Sequence, residues 1–192
     1  MSHRITQSGR RAFTLLELLV VISIIGILIG ILLPVLSAAR THANKVACMA
    51  NLRQIGIGIQ AYVDGNKGHY PRARYMPPPF YSSDPDPALN SLLDFYLVDS
   101  AEGKAREVYK CPSDSQVFAL SGMSYMYQTG QGGPTLPEFI LVKLLNWPAS
   151  KIVLSRDFDG GTFELESGQI TVGVFHRSRN LLFADGHVGD FE

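Results

Sequence analysis

The sequence predicts an α+β protein in which a long N-terminal transmembrane helix packs on a small C-terminal antiparallel β-sheet. Three observations predict it. Behind a basic leader, MSHRITQSGRRA, residues 18–36 form a run of 19 residues without a formal charge. Beyond that run, apolar residues recur at helical spacing as far as Tyr62. From Ile152 onward, short apolar segments alternate at strand spacing. The corresponding division is 1–12 leader, 13–36 transmembrane half of the helix, 37–64 amphipathic half, and 65–192 head.

The apolar run comes first in the chain. At about 1.5 Å per residue it is roughly long enough to cross a bilayer core. Glu17 stands at its mouth. A carboxylate at a membrane-helix centre costs on the order of 3 kcal/mol, less near an interface, so something is expected to compensate for it. A secretory signal also starts basic and turns apolar, and Ser37-Ala38-Ala39 has the form of its cleavage site. That reading leaves Glu17 unexplained, as does a plain single-pass anchor. Under each of these readings Arg4, Arg10 and Arg11 meet no acid in the leader, which keeps the N-terminus cytoplasmic and the head outside.

Ala12-Phe13-Thr14-Leu15-Leu16-Glu17 resembles the start of type IV prepilins and type II secretion pseudopilins: a small residue, then Phe, Thr, Leu, an apolar residue and Glu, opening an apolar helix. The resemblance implies a pilin-like fold, cleavage between Ala12 and Phe13 by a membrane prepilin peptidase, and N-methylation of Phe13. It also implies that Glu17 pairs with the Phe13 amino group of a neighbouring subunit. Opposite charges neutralise each other in a low-dielectric bundle where either alone is penalised. Ala12 departs from the commoner Gly, which implies slower processing. The implied partners are the peptidase, other pilin or pseudopilin subunits, and the inner membrane, with the head periplasmic or extracellular.

The helix is expected to continue beyond the membrane. Pro34 removes one backbone hydrogen bond and crowds the carbonyl of Gly30, which predicts a kink. Cys48, Leu52, Ile55, Ile59 and Tyr62 then follow at spacings of four, three, four and three, one face of an amphipathic helix. Ile55-Gly56-Ile57-Gly58-Ile59 also alternates like a strand. It is read as helix, with the glycines letting a sheet approach closely. The end is placed near Asp64-Gly65, with Gly65 as a left-handed cap.

Residues 66–150 read as largely irregular. Pro71, Pro77, Pro78, Pro79, Pro85 and Pro87 punctuate 70–87, a short helix fits 88–97, and residues 130–134 form a loop. That loop lacks the Lys-Ser/Thr of a phosphate-binding loop. Farther on, Ile152 and Leu154 alternate, as do Ile170, Val172 and Val174, and then Leu181 and Phe183. Asp185-Gly186 is a two-residue turn signal between strands at 180–184 and 187–191.

The chain of 192 residues has room for one ordinary domain plus an anchor. Its 17 basic and 17 acidic residues balance, and loss of Arg4, Arg10 and Arg11 leaves 14 against 17, a net of −3. Nothing in that balance favours nucleic acid as a partner.

A second resemblance covers both ends and the middle. Leu52-Arg53-Gln54-Ile55-Gly56, then Tyr62, Asn66-Lys67-Gly68-His69-Tyr70-Pro71, Tyr109-Lys110-Cys111-Pro112-Ser113-Asp114 and Phe183-Ala184-Asp185-Gly186-His187-Val188 are similar to one branch of prepilin-like proteins. That branch carries a C-terminal His, nine residues, then Asp-Gly. Here eight residues separate His176 from Asp185.

Candidate sites follow from these residues. Cys48 and Cys111 lie on the oxidising side under this topology, where a disulfide is permitted. Two buried thiols remain the alternative. Asp157, Asp159, His176, Asp185, His187 and Asp190 gather donors near the C-terminus. Carboxylates in loops suit Ca²⁺, and the family resemblance implies a loop-bound calcium in some members. Two histidines with an aspartate suit Zn²⁺. The alternative is turn chemistry, which already explains Asp185-Gly186. No G-x-S-x-G elbow, H-E-x-x-H or paired-cysteine zinc framework is present, so an enzyme is not expected. The expected role is a structural filament subunit. The other two readings are a surface-binding module using the aromatic, proline-rich residues 70–81, and a membrane-anchored enzyme.

Overall fold

The computed structural model describes residues 15–80, 84–97, 105–128, 133–165 and 168–190. The leader, Ala12, Phe13, Tyr81, most of the 130–134 loop and Phe191 lie outside the described residues. Helix α1 spans Leu15–Gly65. By contacts the chain divides into two compact units, Met1–Arg40 and Thr41–Glu192.

In the first unit the described residues are helix throughout, and every apolar side chain along it is exposed. It contains the one stretch, among the described residues, that is long and apolar enough to cross a membrane. Pro34 sits within the helix, which continues through it. Ser23 donates to the carbonyl of Leu19 at 2.7 Å, so its hydroxyl is satisfied along the helix without a partner from outside.

In the second unit, residues 41–65 of α1 bury Cys48, Leu52, Ile55, Gly58, Ile59 and Val63. The helical stripe is therefore the packed face, with Tyr62 half-buried beside it. The segment that alternates like a strand is helical, and its two glycines are where other elements come close. A Cβ on Gly56 would stand 2.8 Å from Leu182, and one on Gly58 2.7 Å from Leu97. The helix end differs from the sequence expectation. Gly65 is not left-handed; the positive φ values fall at Lys67 (57°) and Gly68 (84°). Gly68 N–H donates to Val63 O at 2.9 Å, and the Asn66 side chain donates to Tyr62 O at 2.7 Å, which satisfies terminal carbonyls. At Gly65 the constraint is space, since a Cβ would meet the Tyr96 hydroxyl at 3.2 Å.

Among the described residues four short α-helices follow: α2 (Leu89–Leu97), α3 (Ala105–Val108), α4 (Val117–Ser121) and α5 (Ile140–Leu145). The α2 helix matches the expected one, whereas α3, α4 and α5 lie where the sequence reads as irregular. Each is too short for an apolar spacing to repeat over two full turns. Helix α4 is nucleated locally: the Asp114 carboxylate accepts from the backbone of Gln116, Val117 and Phe118 at 2.7–2.8 Å. Gly122, at φ 76°, ends it.

The main sheet contains β1 (Tyr125–Tyr127), β2 (Val153–Asp157), β5 (Leu181–Phe183) and β6 (Val188–Gly189), in the order β1-β2-β5-β6, all antiparallel. Between β2 and β5 the chain makes a separate hairpin, β3 (Gly161–Leu165) with β4 (Gly168–Val172). Ile170 and Val172 thus belong to that hairpin rather than to the main sheet, and Val174 lies beyond its end.

The sheet is packed on both faces. Tyr125, Tyr127, Leu154 and Leu182 join Cys48, Leu52, Ile55 and Ile59 in one apolar cluster. Met126 joins Met76, Phe80, Val117, Phe158 and Val172 in another. The proline-rich segment is thereby partly core: Tyr70 and Ala73 join the first cluster and Met76 and Phe80 the second, with the peptide between Pro78 and Pro79 in cis.

Candidate functional site

Two regions carry the candidate residues. The first is the start of α1. Glu17 is the acid of its first turn, where a carboxylate also meets the positive end of the helix dipole. The side chains that follow it are apolar and exposed for about five turns.

The second region lies inside the 41–192 unit. Cys48 from α1 and Cys111, ahead of α4, form a disulfide, and both residues are fully buried. His176, from the loop between β4 and β5, places Nε2 3.3 Å from Cys111 Sγ. The same nitrogen is 3.8 Å from Asp157 Oδ2 at the end of β2. Asp157 is held by Asn180, whose backbone N–H and side-chain amide donate to its two oxygens at 2.9 Å each. The Nδ1 of His176 is buried with no hydrogen-bond partner.

Electrostatics fix the protonation of this group. Burial raises the Asp157 carboxyl to about 6, against the Asn180 hydrogen bonds that favour its anion. Burial, and secondarily the Lys45 ammonium, hold the His176 imidazole below its ordinary value. Near pH 7 the imidazole is neutral, so its contact with Asp157 is polar rather than an ion pair.

The other C-terminal donors are elsewhere. Asp159 pairs with Arg156 at 2.9 Å and Arg179 at 3.3 Å. Asp185 accepts from the backbone N–H of His187 at 3.1 Å and also contacts its ring. That ring stacks on Phe183 at 4.2 Å between centroids. With Gly186 at φ 87° these contacts make the turn from β5 to β6. Asp190 pairs with Lys45 at 3.4 Å.

Asp157, Asp159, His176, Asp185 and His187 are thus not one ligand set: His176 stands beside Cys111 and Asp157, whereas Asp185 and His187 contact each other in the turn from β5 to β6. The reason is chemical. Asp159 neutralises two guanidinium groups and Asp185 is taken up by its own turn, so neither carboxylate is left to converge on His176. Among the described residues, the group of three metal-capable donors that does converge is Cys48, Cys111 and His176, with ligand atoms within 4.8 Å of one another. Sequence reasoning missed that convergence. No spacing rule links residue 176 to residues 48 and 111.

The alternative reading of residues 70–81 as a binding surface requires exposed rings. Instead Tyr70 is 5% and Phe80 1% exposed. Tyr70 packs on Phe139 at 4.8 Å and Phe80 on Phe163 at 5.0 Å. Burial makes them core residues.

Comparison with known proteins bears on the first region. Residues 7–33 match the family model of the prokaryotic N-terminal methylation motif. The matched residues carry a prepilin-type N-terminal motif. No curated protein and no solved structure matches it. The match takes in Ala12, Phe13 and Glu17 together with most of the apolar run, and it supports a type IV pilin-like protein. A prepilin-type motif implies processing by a prepilin peptidase and assembly with other pilin subunits. Together with the long apolar helix, it supports a single-pass, membrane-anchored pilin-like chain.

Proposed function

We propose that the chain is a structural subunit of a type II secretion pseudopilus or type IV pilus-like filament, cut after Ala12 and assembled through α1. The observation that carries this reading is the methylation motif at 7–33, running into a helix whose apolar residues, up to Leu36, are all exposed in the single chain. Such a surface is accommodated first by lipid and then by the same surface of other subunits. Glu17 adds direction: a carboxylate in the first turn meets the Phe13 amine that cleavage creates on a neighbour. The topology that goes with this reading keeps the leader cytoplasmic and the head periplasmic or extracellular.

A non-enzymatic role is part of the proposal. The buried His176 ring is packed against a disulfide, with the buried Asp157 carboxylate 3.8 Å from it. The similarity of 52–71, 109–114 and 183–188 to the branch with a C-terminal Asp-Gly motif supports the same envelope role. Glu17→Ala tests the assembly step. Membrane insertion is expected to persist while incorporation into filaments is lost, read by shearing cells and immunoblotting the filament fraction. Normal incorporation of that variant would sink the proposal.

A further inference from the structure

A buried disulfide needs no imidazole beside it. His176 is nonetheless 8% exposed, aims Nε2 at Cys111 Sγ, and leaves Nδ1 buried and unpartnered. A buried polar atom without a partner is penalised by its lost hydration, which an apolar residue at this place would avoid. Two sulfurs and one imidazole nitrogen within 4.8 Å of one another are, apart from the S–S bond, a soft donor set of the kind that selects zinc. The Asp157 carboxylate beside them adds a negative charge that favours a cation.

We propose that Cys48, Cys111 and His176 bind one Zn²⁺ when the disulfide is reduced, so that α1 and the segment at 111 are joined by a metal or by a covalent bond according to redox state. The chemistry balances as follows. A dithiol reductant supplies two electrons and two protons, the Sγ–Sγ bond breaks, and the reductant leaves as its own disulfide. Zinc then displaces the two thiol protons and takes the two thiolates and the neutral imidazole. In a tetrahedral site with Zn–S near 2.3 Å the sulfurs stand about 3.8 Å apart, which rotation about the Cα–Cβ bonds provides. The residues that follow His176 in its loop, Arg177, Ser178 and Arg179, are all exposed.

The test uses the full chain in detergent micelles, reduced with a dithiol, desalted without oxygen and titrated with Co²⁺. One cobalt per chain is expected, with thiolate-to-metal charge transfer and the intense visible bands of a four-coordinate ion, both abolished by Zn²⁺. The oxidised chain should show neither. His176→Asn should weaken zinc binding by more than about tenfold, the loss that removing a merely supporting residue already causes. Ser178→Ala should leave it unchanged. Weak octahedral bands alone, or equal affinity in the His176→Asn chain, would overturn the proposal. Should reduction lower the helix content, recovery on adding zinc supports the site and failure to recover overturns it.

Discussion

Replacing Cys48 and Cys111 together with Ala opens a covalent ring whose ends are 63 residues apart in sequence. In the chain-entropy treatment, a ring of that size restrains the unfolded state by about 4 kcal/mol at 25 °C. Domains of this size are stable by about 5–15 kcal/mol, so the loss is a large fraction of the total. The packing on either side argues against an easy compensation. Cys48 lies in the same apolar cluster as Leu52, Tyr125 and Leu182, and a smaller side chain there leaves space that rigid neighbours do not fill. With a urea dependence of about 2 kcal/mol per molar, the unfolding midpoint should fall by about 2 M. The assay is urea unfolding of the full chain in micelles, followed by fluorescence of Trp147, the one tryptophan, and by near-ultraviolet dichroism. A fall of less than about 0.5 M would refute the reasoning, because the cross-link would then be holding ends that the unfolded chain already keeps together.

The remaining predictions concern the helix face and the buried carboxylate. Gly58→Ala should lower stability by about 1 kcal/mol, since a Cβ 2.7 Å from Leu97 outweighs the helical preference of alanine. A gain of about 1 kcal/mol in the same urea assay would show that Leu97 moves aside at no cost. Asp157 has a folded value raised from 3.8 to about 6, so the folded state binds this proton more tightly. Its contribution is fully present below about pH 4 and is lost as pH rises through about 6, a total of about 3 kcal/mol. The stability of the native chain relative to Asp157→Asn should therefore fall by about 2 kcal/mol between pH 4 and 7.5, and a flat difference would contradict the assignment. His176, with its value lowered, acts oppositely: its contribution is present above its ordinary value of 6.5 and lost as pH falls below it.

What was legible in the sequence had a period or a local turn behind it. The stripe from Cys48 to Ile59 repeats at helical spacing, and α1 buries that stripe. Asp185-Gly186 supplies its own hydrogen bonds, and β5 and β6 flank it, although they span fewer residues than the alternation suggested. Strand β1 was not legible, because Tyr125, Met126 and Tyr127 are buried on both faces and show no alternation. The proline-rich segment misled for a related reason. Prolines forbid regular structure, yet Met76 and Phe80 still pack under the sheet. The alternation of Ile170 and Val172 marked a strand without naming its partner, which is β3 rather than the main sheet. The grouping of His176 with Cys111 and Asp157 depends on a loop returning past the end of β2, a contact that no local pattern encodes.

The most direct test of the account is the N-terminal sequence and intact mass of the protein isolated from membranes of its own cell. The expected product is a chain that starts at Phe13, methylated on its amino group. A chain that starts at Arg40, or one that keeps its leader, would contradict it, and the assembly role of Glu17 would fall with it.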